Sequence, residues 1–295
     1  MRSPHKRQIL ALPADIHPLE PQPPTWVSAL IDEPGDGEDI NITSRGDLLR
    51  ARMRLRNARD MDAETLTASV RDAYLSLARC CADTGRHPIR IWNFVPGIGE
   101  RFGALDRYMV FNRGRFEAMS RIEATSLPTS SAVGVDADDL TIELLAAANP
   151  GEQVENPRQI SSWMYSPAYG PRPPCFARAT IASIDNRQWL LIGGTASIVG
   201  EDSCHQGNVT AQLDETLANL CAVIESATPR GSDPLGLLED VRVYIARSHD
   251  VAEIADGVRQ RVGSGPVIEM ALATVCRPEL LLEIEGRVCL TPRPA

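Results

Sequence analysis

Apolar positions recur along this chain with two periods, and the changes of period mark out its elements. Leu66, Val70, Leu75 and Leu77 fall at helical spacing behind Asp62, whose short carboxylate suits a helix start. A helix is therefore expected from Asp62 to about Ala82. Strand-like runs follow at Ile89–Phe94 and Arg107–Phe111. Pro, Gly and Ser punctuate the stretch from Ser126 to about Asn156, in which a helix is expected near Leu140–Ala148. Ahead of all these, residues 1 to about 45 are rich in Pro, Asp and Gly and read as an extended arm with one short strand.

The second half is more regular. Phe176–Ile184 and Gln188–Gly193 read as two strands joined by a turn at Asp185-Asn186. A helix is expected at about Val209–Glu225, with Leu213, Leu217, Leu220 and Ile224 as its buried stripe. Val241–Ile245 is a strand, Asp250 caps a helix to about Val262, and Val267–Val275 and Leu280–Val288 are two closing strands. The order β-β-α-β-α-β-β places two crossover helices on one face of a mixed sheet, an α+β layer architecture. A domain boundary is placed near residue 150, giving units 1–150 and 151–295.

Composition narrows the function classes. The 295 residues carry a formal net charge of -9, with 43% hydrophobic and 23% charged residues. Those proportions suit a globular chain with a sizeable core, and an acidic balance gives no support for nucleic-acid binding. Apolar stretches fall well short of the ~20 residues that cross a bilayer, and Pro13 interrupts the N-terminal run before it makes a secretory segment. A cytoplasmic protein without a membrane partner is expected. The seven cysteines (80, 81, 175, 204, 221, 276 and 289) form no C-x-x-C pair and read as reduced thiols. His205 and His249 have no partner at ligand spacing, so no metal site is expected. Gly97, Gly99 and Gly103 miss the dinucleotide-binding spacing, and Gly193 to Ser197 lack a nucleophile-elbow pattern.

Several stretches, taken together in order and spacing, are more specific. They are Arg90-Ile-Trp-Asn93 with Pro96, Arg107-Tyr108 with Phe111-Asn112 and Gly114-Arg115, and Tyr169-Gly-Pro171 through Phe176-Ala-Arg178-Ala179. Gly194 to Gly200 leads on to His205, Gln212, Glu215-Thr216 and Asn219, and Val275-Cys276-Arg277 leads into Leu281-Leu-Glu283-Ile-Glu285. Over roughly residues 85–290 the chain resembles the chorismatases, which release pyruvate from chorismate. The resemblance implies two RidA/YjgF-like (chorismate-mutase-like) mixed-sheet units, the N-terminal one degenerate, with the active site in the C-terminal half. It implies no cofactor. It leaves open a monomer or a homotrimer.

Cleaving the enolpyruvyl ether begins most easily with protonation of its methylene carbon, a weak base that needs a carboxylic acid still protonated near neutral pH. Glu283 lies among apolar residues on an expected buried strand and, by the resemblance, holds the place of the catalytic glutamate. Glu285 shares its strand face and competes for the role. Arg178, at the start of a buried strand, is the first candidate for a carboxylate clamp, with Tyr169 as a phenolic donor beside it. Arg107, Arg158 and Arg247 are further candidates. The small residues Gly193, Gly194 and Thr195 would let a flat ring approach the backbone. Cys276, by the resemblance, marks members that form 3-hydroxybenzoate, its thiol or thiolate helping a later aromatising step. Alternatives stay open: hydrolysis to a dihydroxycyclohexadienoate, formation of 4-hydroxybenzoate, a RidA-like imine deaminase, or a non-catalytic small-molecule binder on the same fold.

Overall fold

Two mixed β-sheets lie inner face to inner face, and each carries its long helices on the outer side. The computed structural model describes residues 21–291 apart from 36, 38, 39, 123–125, 229, 230 and 232. The first sheet and its helices comprise α1 (Thr25–Leu30), β1 (Asn41–Arg45), β2 (Leu48–Leu55), α2 (Ala63–Asp83), β3 (His87–Pro96), β4 (Arg101–Phe102), β5 (Leu105–Asp106), α3 (Arg107–Arg121), β6 (Thr129–Val135) and β7 (Leu140–Ala147). The second comprises β8 (Glu152–Val154), β9 (Ala179–Ile184), β10 (Arg187–Thr195), β11 (Ile198–Val199), β12 (Asp202–Ser203), α4 (Val209–Ala227), β13 (Leu238–Ile245), α5 (Val251–Val262), β14 (Val267–Leu272) and β15 (Leu282–Cys289). Strand orders are β1-β2-β7-β3-β6 and β14-β13-β15-β10-β9-β8. The β3–β6 and β13–β14 pairs are parallel, the others antiparallel. The α+β class and the placement of helices on one face of the second sheet are as the residue pattern implied, and the two mixed-sheet units are as the resemblance implied.

Strand alternation divides each sheet between two cores. On the second sheet, Val241, Val243, Leu282 and Ile284 face the stripe of α4, Leu213, Leu217, Leu220 and Ile224, together with Ile254 and Val258 of α5. On the first, Ile91, Ile142 and Leu144 face Leu66, Val70 and Leu77 of α2. The opposite faces meet in a third core, where Trp92, Phe94 and Leu145 of one sheet pack on Trp189, Leu191 and Tyr244 of the other. Glu283 and Glu285 belong to that inner side.

Local signals work as expected at several ends. The Asp62 carboxylate accepts from the Thr65 amide at 2.8 Å, an N-cap worth about 1 kcal/mol. Asp185 and Asn186 take φ of 49° and 59°, the left-handed pair of a tight hairpin between β9 and β10.

Other expectations are corrected. The strand expected at Arg107–Phe111 is the opening of helix α3. Asp106 caps it by accepting from the Met109 amide at 2.8 Å, and Val110, Phe111, Gly114 and Ala118 form its buried stripe. Gly114 lets α3 approach α2 closely, since a Cβ there would stand 2.5 Å from the Thr67 carbonyl. The helix expected near Leu140–Ala148 is strand β7, paired with β2 and β3. Both of its faces are buried, so its apolar run carries no alternation to distinguish it from a helix. Asp250 precedes α5, but its side chain binds Arg247 at 2.5 Å instead of capping. Within the N-terminal arm the chain forms α1 as well as β1; residues 1–20 of that arm lie outside the described residues.

Candidate active site

Two carboxylates stand on one face of β15, and their surroundings differ completely. Glu285 accepts from Arg90 Nη2 at 2.5 Å, Ser131 Oγ at 2.6 Å, Trp92 Nε1 at 3.0 Å and Tyr244 Oη at 3.3 Å. Arg90 and Trp92 come from β3, Ser131 from β6 and Tyr244 from β13. Glu283 is also buried, yet its Oε1 has no hydrogen-bond partner among the described residues. Burial pushes its carboxyl up to about 8, the charge of Glu285 adds to the rise, and Arg90 and Arg178 oppose it. At neutral pH the group holds its proton and can donate it.

The backbone makes room for that carboxyl. The β10–β15 register is irregular between Ile192 and Thr195, at the two glycines. A Cβ on Gly194 would stand 1.8 Å from Glu283 Oε1, so only glycine leaves the acid its place. Gly193 is tight for a different reason: a Cβ would meet Thr129 Oγ1 at 2.6 Å and the Ser130 carbonyl at 2.9 Å, where β10 crosses β6.

Glu283 opens onto a cavity with about 180 Å³ of space for the centre of a water-sized sphere. Its walls come from both sheets: Tyr108, Met109 and Arg115 of α3, Ser130 to Ala132 of β6, the Tyr165–Arg178 segment, and Cys276 to Leu280. Three arginines reach it. Arg178 donates to the Tyr165 hydroxyl at 2.7 Å and the Ile160 carbonyl at 3.0 Å. Arg115 donates to Asn112 Oδ1 at 2.8 Å and lies over the Phe111 ring. Arg277 donates to the Glu201 carbonyl at 2.7 Å and the Ser203 hydroxyl at 3.1 Å, and stacks 3.8 Å from the Tyr169 ring centroid. All three are at most 9% exposed, and the ion pairs of the described residues include none of them. Nε of Arg115 and of Arg178 has no acceptor there either. Buried guanidinium groups held by neutral acceptors are chemically suited to an anion with more than one carboxylate.

Of the residues expected from the sequence, the fold brings Glu283, Cys276, Arg178, Tyr169 and Gly194 to this cavity. Thr195 is buried behind it, its hydroxyl donating to the Gly193 carbonyl at 3.0 Å, and Gly193 packs on β6 instead of facing the space. Arg107, Arg158 and Arg247 do not line it. Arg107 is tied to the Ala58 and Arg59 carbonyls and to Glu100, Arg158 to Glu215, and Arg247 to Asp250. The Tyr169 hydroxyl donates to Asp202 at 2.7 Å, which leaves its ring to support Arg277. Burial, then the nearby Glu283, pushes the Cys276 thiol up to about 12, so it stands as a neutral thiol and the thiolate option falls away. Arg115 and Arg277 also line the cavity, although the residue pattern does not single them out as candidates. Both lie in stretches singled out for spacing, Gly114-Arg115 and Cys276-Arg277, but only the folded α3 turns Arg115 towards Glu283's cavity.

Residues 24–146 match the family model described as "Chorismatase FkbO/Hyg5-like, N-terminal". The chain is 29% identical over 283 residues to a 3-hydroxybenzoate synthase of Streptomyces hygroscopicus, across 91% of this chain and 82% of that protein. It is 33% identical over 208 residues to a chorismatase of the same organism, across 68% of this chain and 60% of the relative. A crystal structure of a chorismatase superposes with a TM-score of 0.78 at 27% identity, covering 87% of this chain and 79% of that one.

Proposed function

We propose, from the premise that this chain belongs to the chorismatase family, that it converts chorismate to pyruvate and 3-hydroxybenzoate with Glu283 as the acid. The observation that carries the reading is a buried carboxyl, pushed up to about 8, whose Oε1 has no hydrogen-bond partner among the described residues, in a cavity shared with three arginines that no ion pair of the described residues includes. Chorismate supplies what those groups ask for: two carboxylates for the guanidinium groups and an enol methylene to receive the proton.

In this reading Arg178 and Arg115 hold substrate carboxylates, and Arg277, braced by Tyr169, completes the positive wall. The Glu283 proton passes to the methylene carbon and makes the ether carbon an oxocarbenium. The ring hydroxyl oxygen attacks the carbon bearing the ether and loses its proton to the Glu283 carboxylate, the ring C–O bond breaks, and its electron pair leaves with pyruvate. The bridged intermediate then opens, its oxygen taking up a proton as the ring loses one, which gives the aromatic product. Pyruvate and 3-hydroxybenzoate together contain every atom of chorismate, so the conversion needs no oxidant, reductant or net water. Cys276 acts as a neutral thiol beside the ring in the opening step. The likeness to a 3-hydroxybenzoate synthase over most of both chains favours this product over the diol.

The same reading divides the chain near residue 150, a division supported by the change of sheet between Ala147 and Glu152. Among the described residues no helix is long and apolar enough to cross a membrane. The test is incubation of the purified protein with chorismate, with pyruvate assayed and the ring product identified by chromatography and mass. Pyruvate with 3-hydroxybenzoate in equal amounts is expected. Pyruvate with the diol would overturn the product, and no pyruvate above background would overturn the activity.

A further inference from the structure

The carboxylate of Glu285 takes no part in the chemistry above, yet it is buried and accepts four hydrogen bonds. Its four partners all donate. Arg90 and Trp92 can only donate, and Ser131, which accepts from the Gly194 amide at 2.9 Å and from Arg90 Nη2 at 2.5 Å, has its own proton left for Glu285. In each of these contacts the Glu285 carboxylate is the acceptor. Two residues along the same strand face stands Glu283, with an unpartnered oxygen. The network also fixes where that oxygen lies, because Ser131 holds the amide of Gly194, the residue against which Glu283 Oε1 rests.

We infer that Glu285 is a positioning residue, a fixed negative charge clamped by β3, β6 and β13 that stands against Glu283 and keeps it a proton donor. The inference rests on the reading of Glu283 as the acid. It gives the N-terminal sheet a part in the chemistry: Arg90, Trp92 and Ser131 act through Glu285 without touching the substrate. The charged and titratable groups facing Glu283 are consistent with this assignment. Burial is the largest cause of the rise in its carboxyl, Glu285 on β15 adds to it, Arg90 on β3 and Arg178 before β9 lower it, and Asp106, Arg115, Arg277 and Glu279 line the same cavity. Cys276, Tyr108 on α3 and Tyr244 on β13 are all pushed up by burial and stay neutral. Around Glu285 itself, Arg242 is the remaining cation, and it is already paired with Glu269. Glu285 is thus the like charge acting on Glu283 from its own strand, and removing it leaves burial alone against the two opposing arginines.

The measurement is the pH profile of kcat/KM for pyruvate release, which reports the free enzyme. Activity of the wild-type protein should fall as pH rises through about 8, where Glu283 loses its proton. In Glu285→Gln that basic limb should move to lower pH by about 1–2 units, with activity recovering on acidification. A variant that merely loosened the fold would lose activity at all pH values without moving the limb. Should the stranded Arg90 prevent Glu285→Gln from folding, Arg90→Gln/Glu285→Gln strands no charge, and its limb should move the same way by less. A limb at the wild-type position in whichever variant folds overturns the inference. Glu283→Gln separates the two claims: full activity there defeats the acid assignment itself. An inactive Glu283→Gln beside an unmoved limb defeats only the role of Glu285.

Discussion

Along the inner faces of the sheets, Arg50 reaches Glu143 at 3.1 Å, Arg90 reaches Glu285 at 2.5 Å and Arg242 pairs with Glu269. At the cavity, Arg115, Arg178 and Arg277 are also buried but rest on hydroxyls, carbonyls, an amide oxygen and aromatic rings. Burial is common to the two regions; a carboxylate at ion-pair distance from the guanidinium, among the described residues, is not. A guanidinium buried without an anion is costly, so its persistence in three copies around one space points to a charge supplied from outside. The carboxylates divide the same way. Glu285 belongs to the paired region and Glu283 to the open one, although the two side chains stand on one strand face.

Substitution should separate the regions. Arg242→Met leaves Glu269 without its cation and should lower stability by about 3–5 kcal/mol in denaturant unfolding, with KM of the folded fraction unchanged. A next effect is on pH. Glu283 has a folded value of about 8 against an ordinary 4.5, so from pH 4.5 to 8 the unfolded chain releases a proton that the folded one keeps. Wild-type stability therefore declines across that window. Glu283→Gln lacks this decline, and at pH 8 it should be the more stable of the two by a few kcal/mol, at about 1.4 kcal/mol per unit. Identical pH dependence of the two proteins would place Glu283 in an ordinary environment. Smaller in energy, Arg178→Met or Arg115→Met should raise KM for chorismate about 10–100-fold, as loss of a charged hydrogen bond implies, with the melting temperature unchanged or raised. A fall in melting temperature with KM unchanged would move that arginine into the structural group. Smallest is Cys276→Ala, where total pyruvate should change by less than about tenfold while the ring products shift towards the diol.

Much of this arrangement can be read from residues alone, and the failures have identifiable causes. The α2 cap at Asp62, the α4 stripe and the β9–β10 turn rest on local signals, and local signals suffice for them. Strand alternation places Glu283 and Glu285 on one face, but their division of roles depends on Arg90, Trp92, Ser131 and Tyr244, which come from other strands and leave no mark near residue 283. Tyr108, Val110 and Phe111 suit a strand by composition, yet packing of α3 against α2 through Gly114 makes them helical. That misreading hides Arg115, whose helical position aims it at the cavity. Arg107, Arg158 and Arg247 illustrate the converse. Arginine in a promising stretch says nothing of whether a nearby carboxylate has already claimed it, and Glu100, Glu215 and Asp250 have.

The most direct test of the central claim, that Glu283 is the proton donor of a chorismate-cleaving site, is the rate of pyruvate release at pH 7 by the wild-type protein and by Glu283→Gln. The amide keeps the size of the side chain and removes the acidic proton. A folded Glu283→Gln protein slower by about 10²–10⁴-fold, with KM little changed, is the predicted result. Release within a few-fold of wild type would contradict it and move the chemistry away from Glu283.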